Sequence, residues 1–189
     1  MLLLPDSDVP IRGIGFDPGT TYTGVSISNF SRNPYHMDVI HGVTLRLDKL
    51  AKMGDAYPDI SKMYRMLELQ QRLKLLYWTW LPSFGFSEAP YLDHFPGTFA
   101  ALTECVTLMR NTLYECDRGL KLELIDPMTV KKYVGASGRE ARKNKNIVRE
   151  CLKKKLPGLT ISIDLDKLDE HAIDSIAVQY SGFRQLTGL

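Results

Sequence analysis

Apolar residues along the chain recur at two different periods, and the switches between them divide it into strands and helices. Residues 11–17 and 22–29 read as extended: Ile14 and Phe16 lead into Asp17, and Val25 and Ile27 resume the alternation after a Pro18-Gly19 turn. A third extended segment covers 37–47, with Asn33-Pro34 marking the turn before it. Between Pro58 and Pro82 the spacing becomes helical. Ile60, Met63, Tyr64, Leu67, Leu73, Leu76 and Tyr77 recur about one turn apart, and Trp78 and Trp80 read as packing residues at its end.

A short strand ending at Pro90 follows and carries Glu88 at its close. The next helix is expected over 98–116, with Leu102, Val106, Met109 and Leu113 on one face and Gly119 as its stop. Residues 120–125 read as a strand, and Asp126-Pro127 opens a short helix through Val134. Gly135-Ala136-Ser137-Gly138 interrupts the chain before a basic helix over 139–155. The last helix covers 169–184, with Leu168 or Asp169 near its cap and Ala172, Ile173, Ile176, Ala177 and Tyr180 toward the core. This order predicts an α/β sheet that starts antiparallel and continues through crossover connections. Residues 1–10 read as a loose leader, and residues 1–189 as one domain.

Composition narrows the class. With 44% hydrophobic and 24% charged residues, a chain of 189 residues can bury a sizeable core. Leu2-Leu3-Leu4 is too short for a signal peptide, and no apolar run approaches the roughly 18 residues that cross a bilayer. Cys105, Cys116 and Cys151 are odd in number and lack metal-type spacing, so reduced thiols in a cytoplasm are expected. The net charge of +2 is uneven: residues 131–155 hold ten Lys or Arg and two Glu, a balance of +8, so the remainder sums to −6. Such a block is either a solvated helix face or a surface for a polyanion.

The candidate chemistry rests on carboxylates. Strand interiors are poor in Asp, yet Asp17 closes the first strand and Glu88 closes the fourth. His171 and Asp174 stand one turn apart on the last helix, beside its apolar stripe. Singly, Asp17 can stabilise its own turn, Glu88 can pair with a lysine and His171 can cap its helix. Together, three carboxylates and a histidine at one edge of a sheet require protons or cations to neutralise them. Hard divalent ions with oxygen ligands suit that set, and two of them about 4 Å apart clamp both sides of a displacement at phosphorus.

Three segments carry a family resemblance: Ile14-Gly15-Phe16-Asp17-Pro18-Gly19-Thr20-Thr21, Ser87-Glu88-Ala89-Pro90-Tyr91, and Asp169-Glu170-His171-Ala172-Ile173-Asp174-Ser175-Ile176-Ala177. In order and spacing they resemble the catalytic motifs of the RuvC family of Holliday junction resolvases, and the stretches 127–135 and 145–148 resemble that family's basic segment. The flanking sequence looks more like a phage-encoded member, which would act in its host's cytoplasm. The resemblance implies an RNase H-like (RuvC-type) five-stranded mixed sheet flanked by helices. It implies a homodimer presenting two active sites to a four-way DNA junction in recombination or repair. It further implies two Mg²⁺ ions per site, with Mn²⁺ as a substitute, and products ending in 5′-phosphate and 3′-hydroxyl.

Carried across motif by motif, the resemblance makes Asp17 the ligand bridging the ions and Glu88 and Asp174 the completion of the shell. His171 stands where many members have Asp, which shifts preference toward Mn²⁺, and Glu170 is the alternative ligand. Lys145 matches a Lys-x-x-Val pattern and would neutralise the scissile phosphate, with Lys143 as the alternative register. Lys131, Lys132, Arg139 and Arg142 would grip flanking phosphates. Tyr91 is either a wedge against the junction or a packed loop tyrosine. The helix over 98–116 takes the place of the family's dimer helix, with Leu102, Val106 and Met109 shared between core and interface.

Two rivals share parts of the pattern. Asp-x-Gly-Thr-Thr also resembles the phosphate loop of actin-like ATPases, which need a second lobe this chain has no room for. Another RNase H-fold nuclease, acting on other branched DNA or on an RNA–DNA hybrid, is separated poorly by sequence alone.

Overall fold

The seven residues Ile11–Asp17 form β1, the strand around which the rest is arranged. The computed structural model describes residues 10–51, 58–92, 95–137 and 146–188. β1 pairs antiparallel with β2 (Tyr22–Arg32), which pairs antiparallel with β3 (Tyr35–Arg46). After α1 (Asp48–Ala51) and α2 (Pro58–Trp80), β4 (Phe84–Glu88) returns parallel to β1 on its other side. After α3 (Pro96–Cys116), β5 (Leu122–Ile125) adds parallel to β4. α4 (Pro127–Val134) and α5 (Ile147–Leu152) precede β6 (Leu159–Ile161), and α6 (Glu170–Thr187) closes the described chain.

The expected mixed sheet with flanking helices is present, in the order β5-β4-β1-β2-β3-β6. A sixth strand extends the five that the resemblance implied: β6 lies parallel to β3 through Met37–Leu159, Asp38–Thr160 and Val39–Ile161. Three residues after a Pro-Gly turn carry too little alternation to be legible as a strand. Among the described residues the expected basic helix is α5, which follows Asn146 and ends at Leu152, short of residue 155. The leader residues 1–9 and the segment 138–145 lie outside the described residues.

Because side chains alternate across a strand, each face of the central strands has its own chemistry. Ile14, Phe16, Val25 and Ile27 face one core with Leu69 and Leu73 of α2 and Cys105, Met109 and Leu113 of α3. Phe30, Phe84 and Phe86 face the other, with Val130 and Val134 of α4 and Ile173, Ile176, Tyr180 and Phe183 of α6. On this second face β1 and β2 are stripped of bulk. A Cβ at Gly15 would stand 2.7 Å from the Ser175 carbonyl oxygen, and one at Gly24 would stand 1.9 Å from that of His171. The missing side chains let α6 lie directly on the sheet. Ser26 Oγ donates to the Ser175 carbonyl at 3.0 Å, and Ser28 Oγ to Gln179 Oε1 at 2.7 Å, so both buried hydroxyls are bonded, while Gln179 Nε2 is buried without a partner among the described residues.

Two helix faces differ from expectation. In α2 the core side is Leu69, Leu73 and Tyr77, whereas Ile60, Met63, Tyr64 and Leu67 are exposed. Trp80 packs as expected, stacking on His41 at 5.2 Å, but Trp78 is exposed. In α3, Val106 and Met109 lie wholly in the core and Leu102 is half-buried, so the first two are not available to an interface. An apolar period shows that a helix has a sticky side. It does not say which of two sticky sides meets the sheet.

Candidate active site

One row across the sheet collects polar residues at the C-terminal end of β1. Phe16 pairs with Ser87, which sets Asp17 and Glu88 side by side at the ends of two parallel strands. Asp17 pairs with Gly24, and Gly24 with Thr44. The alternation carries Glu88 on the face of Phe84 and Phe86, the face covered by α6, and Asp17 on the face of Gly15.

α6 enters above this row. Asp169 is its N-cap and accepts from the Ala172 amide at 3.2 Å. Its carboxylate also accepts from Thr44 Oγ1 and, at 3.0 Å, from Arg46 Nη2, which ties the helix start to β3. Burial works against the charged form, but these hydrogen bonds hold the Asp169 carboxyl below its ordinary range. Anchored in this way, the first turn delivers His171, whose Nδ1 lies 2.8 Å from Asp17 Oδ2. Tyr22 stacks on the imidazole with centroids 5.6 Å apart and planes 14° apart. Arg46 lies over the Tyr22 ring at 6.0 Å.

The electrostatics show what converges here. Burial, then the charges of Asp17 and Asp174, push the Glu88 carboxyl up to about 7, with Lys131 opposing and Asp126 adding. Burial, then Asp17, push Asp174 up to about 7 as well, while His171 and Lys131 oppose. The hydrogen bond to Asp17 raises the His171 pKa, burial works against it, and the charges of Asp17, Glu170 and Asp169 add to the rise. Asp17, Glu88, His171 and Asp174, from two strands and one helix, therefore share one field.

The donor set suits hard divalent cations. Glu88 and Asp174 each feel the charge of Asp17, and Lys131 is a cation acting on both, so positive charge is short. Among the described residues no three His, Cys, Asp or Glu side chains form a ready-made cage. A site that takes an ion with few carboxylates and completes its shell with water and phosphate has no need of one.

The other sequence-derived candidates fall in three groups. Glu170 is exposed on the first residue of α6, and it is His171 that reaches Asp17. Lys131 and Lys132 are exposed on the last turn of α4, whose N-cap Asp126 accepts from the Thr129 amide at 3.0 Å. Tyr91 is exposed three residues beyond Glu88. Arg139, Arg142, Lys143 and Lys145 lie outside the described residues. Tyr22, Gly24, Thr44 and Arg46 escaped the sequence reading. For Tyr22 and Gly24 the one signal was the period-two run Tyr22, Gly24, Ser26, Ser28, a strand face too small and polar for an ordinary core.

No family profile matches the chain, and no curated protein matches it by sequence. Comparison of folds is more informative. Thermus thermophilus RuvC, solved with a Holliday junction substrate, superposes with a TM-score of 0.63 at 16% identity, covering 94% of this chain and 97% of that one. The yeast mitochondrial Holliday junction resolvase gives 0.63 at 13% identity over 97% of this chain and 82% of its own. The fowlpox virus resolvase, solved with junction DNA, gives 0.57 at 12% over 93% and 99%. The fold is that of the RuvC-type resolvases. At these identities the RuvC-type likeness extends to the arrangement of strands and helices, and the residues must argue for the chemistry. Among the described residues no helix is long and apolar enough to cross a membrane.

Proposed function

We propose that the chain is a divalent-cation-dependent endonuclease that resolves four-way DNA junctions by paired nicking, one RuvC-type nuclease domain per chain, acting in the cytoplasm as a homodimer. The observation that carries this reading is that Glu88 and Asp174, both largely buried, lie close enough to feel the Asp17 charge, with both carboxyls pushed up to about 7. A structural protein gains nothing from buried mutual repulsion, whereas a cation site uses it. Like-folded proteins solved with Holliday junction DNA support the choice of substrate.

In this reading Asp17, Glu88 and Asp174, with His171, hold Mg²⁺ or Mn²⁺. When bound, the ions supply charge neutralisation at the phosphate and activation of water for an in-line displacement. The chain's own groups do the rest. Asp17 is fixed by its bond to His171, and Asp169 fixes the helix that carries His171. Lys131 places positive charge beside the carboxyls, where negative charge grows on the phosphoryl oxygens. Water oxygen bonds to phosphorus and the bond to the 3′ oxygen breaks. The ends are a 5′-phosphate and a 3′-hydroxyl that has gained the proton. Lys132, Arg139, Arg142, Lys143 and Lys145 contact flanking phosphates, with Lys145 nearest the scissile one, and Tyr91 meets the branch point.

The test compares a four-way junction, a flap, a linear duplex and an RNA–DNA hybrid on a gel, with Mg²⁺ and with chelator. Selective, Mg²⁺-dependent cutting of the junction is expected. Asp17→Asn should abolish cutting and keep junction binding, and survival of cutting in that variant would place the chemistry elsewhere.

A further inference from the structure

A histidine ring turns easily about its Cβ–Cγ bond, because that torsion is broad and roughly two-fold. An imidazole that must present one nitrogen in one direction therefore needs a neighbour to fix its plane. His171 is one-third exposed on the first turn of α6. Its contact with Asp17, 2.8 Å from Nδ1 to Oδ2, selects a ring nitrogen but leaves the ring free to tilt about that bond.

Tyr22 removes that freedom. It opens β2 on the face of Gly24, Ser26 and Ser28, the face on which α6 lies. The bare Cα of Gly24 lets the His171 backbone come down to the sheet. Two residues earlier, the Tyr22 ring meets the imidazole face to face, with centroids 5.6 Å apart and planes 14° apart. Across the sheet Tyr22 pairs with Arg46, whose guanidinium lies over the same ring at 6.0 Å and bonds Asp169 at 3.0 Å. The ring is thereby tied to the cap of the helix that carries His171.

Packing does not account for this tyrosine. Among the described residues neither core includes it, and its hydroxyl makes no hydrogen bond. It stands half-buried in an open cleft of about 170 Å³ with Arg46, Asp169, Glu170 and His171. What it offers is a flat face. Against a carboxylate acceptor Nδ1 carries the ring proton, so Nε2 keeps a bare lone pair, the form in which imidazole binds a metal. Among the described residues Nε2 has no hydrogen-bond partner.

We propose that Tyr22 is a positioning residue, whose ring holds the His171 imidazole in the one orientation that gives Nδ1 to Asp17 and leaves Nε2 for a divalent cation. The orientation stands on the ring geometry alone. Only the occupant of Nε2 rests on the cation-dependent nuclease reading.

Proton–nitrogen NMR of the ion-free full chain, labelled at its four histidines, reads the orientation without any cleavage. His171, assigned by the loss of its signals in His171→Ala, should show a single tautomer at about pH 9, protonated at Nδ1. Tyr22→Phe should keep that spectrum. Tyr22→Leu and Tyr22→Met keep apolar bulk without a flat face, and both should give mixed tautomers; a fold lost in one leaves the other. Mn²⁺ binding, followed by electron paramagnetic resonance, should weaken roughly 10- to 100-fold in those two variants and hold in Tyr22→Phe. In the His171→Ala background, Tyr22→Leu should weaken Mn²⁺ binding no further, because Tyr22 acts through the imidazole. An unaltered tautomer in the folded Tyr22→Leu or Tyr22→Met chain overturns the proposal. So does an equal loss of Mn²⁺ affinity with and without His171, or a loss in Tyr22→Phe. A wild type that shows the Nδ1 tautomer and binds no Mn²⁺ counts against the cation site instead, with Tyr22 still decided by the spectra.

Discussion

His171 and Asp17, separated by most of the chain, meet at 2.8 Å between Nδ1 and Oδ2 and join the last helix to the first strand. The raised pKa of His171 gives this contact a pH signature. A protonated imidazole beside the carboxylate stabilises the folded chain below about pH 6.5, and that contribution is lost as pH rises through the higher folded value. The imidazole is one-third exposed, so the effect is small, under about 1 kcal/mol. His171→Ala should lower the melting temperature at pH 5.5 more than at pH 8, and equal losses at both would detach stability from this pair. His171→Asp should move cleavage from Mn²⁺ toward Mg²⁺, measured as the ratio of rates in the two ions.

Glu88 and Asp174 make the opposite prediction. Each carboxyl keeps its proton in the folded, ion-free chain up to about pH 7 and releases it at ordinary acid values when unfolded. Stability without ions should therefore fall as pH rises from about 4.5 to about 7, by on the order of 3 kcal/mol per carboxyl, with less than additive totals. Millimolar Mg²⁺ should restore it at pH 7.5. Melting curves in chelator across that range, for the wild type and Glu88→Gln, would show the slope and its flattening. A slope unchanged by the substitution would clear Glu88 of the role.

Lys131 opposes the rise in both carboxyls. Removing it should raise their pKa values, so Lys131→Ala should shift the acid limb of the rate profile to higher pH. It should also slow single-turnover cleavage by roughly 10- to 100-fold. Weaker junction binding with an unchanged limb would move Lys131 to the flanking grip.

Gly24 holds the geometry from beneath. A methyl group there would stand 1.9 Å from the His171 carbonyl oxygen, and backbone cannot yield as a side-chain tip can. Gly24→Ala should cost about 1–3 kcal/mol by overpacking and displace the start of α6. Thermal melts and cleavage assays should both fall. Full activity at full stability would show that α6 need not lie against the sheet there.

How much of this was legible in the sequence follows the strength of local signals. Asp17, Glu88 and Asp174 stood out because carboxylates are rare within strands and beside apolar helix stripes. The crossover order implied a parallel strand carrying Glu88, but the register that brings Asp17 beside it is a tertiary fact. The role of Asp169 was half visible: its place as a cap could be read, its bonds to Thr44 and Arg46 could not, since they cross 125 and 123 residues. Tyr22 and Gly24 were hidden because a stacking ring and a missing side chain matter only once the helix above them is placed. α2 misled for a plainer reason, having two apolar sides.

The account turns on whether residues 17, 88 and 174 hold cations together, and crystals soaked in Mn²⁺ would answer this most directly. Anomalous peaks within coordinating distance of Asp17, Glu88 and Asp174 are expected, lost in Asp17→Asn. Saturated crystals with no peak at those carboxylates, or peaks held by other residues while the protein still cuts junctions, would contradict it.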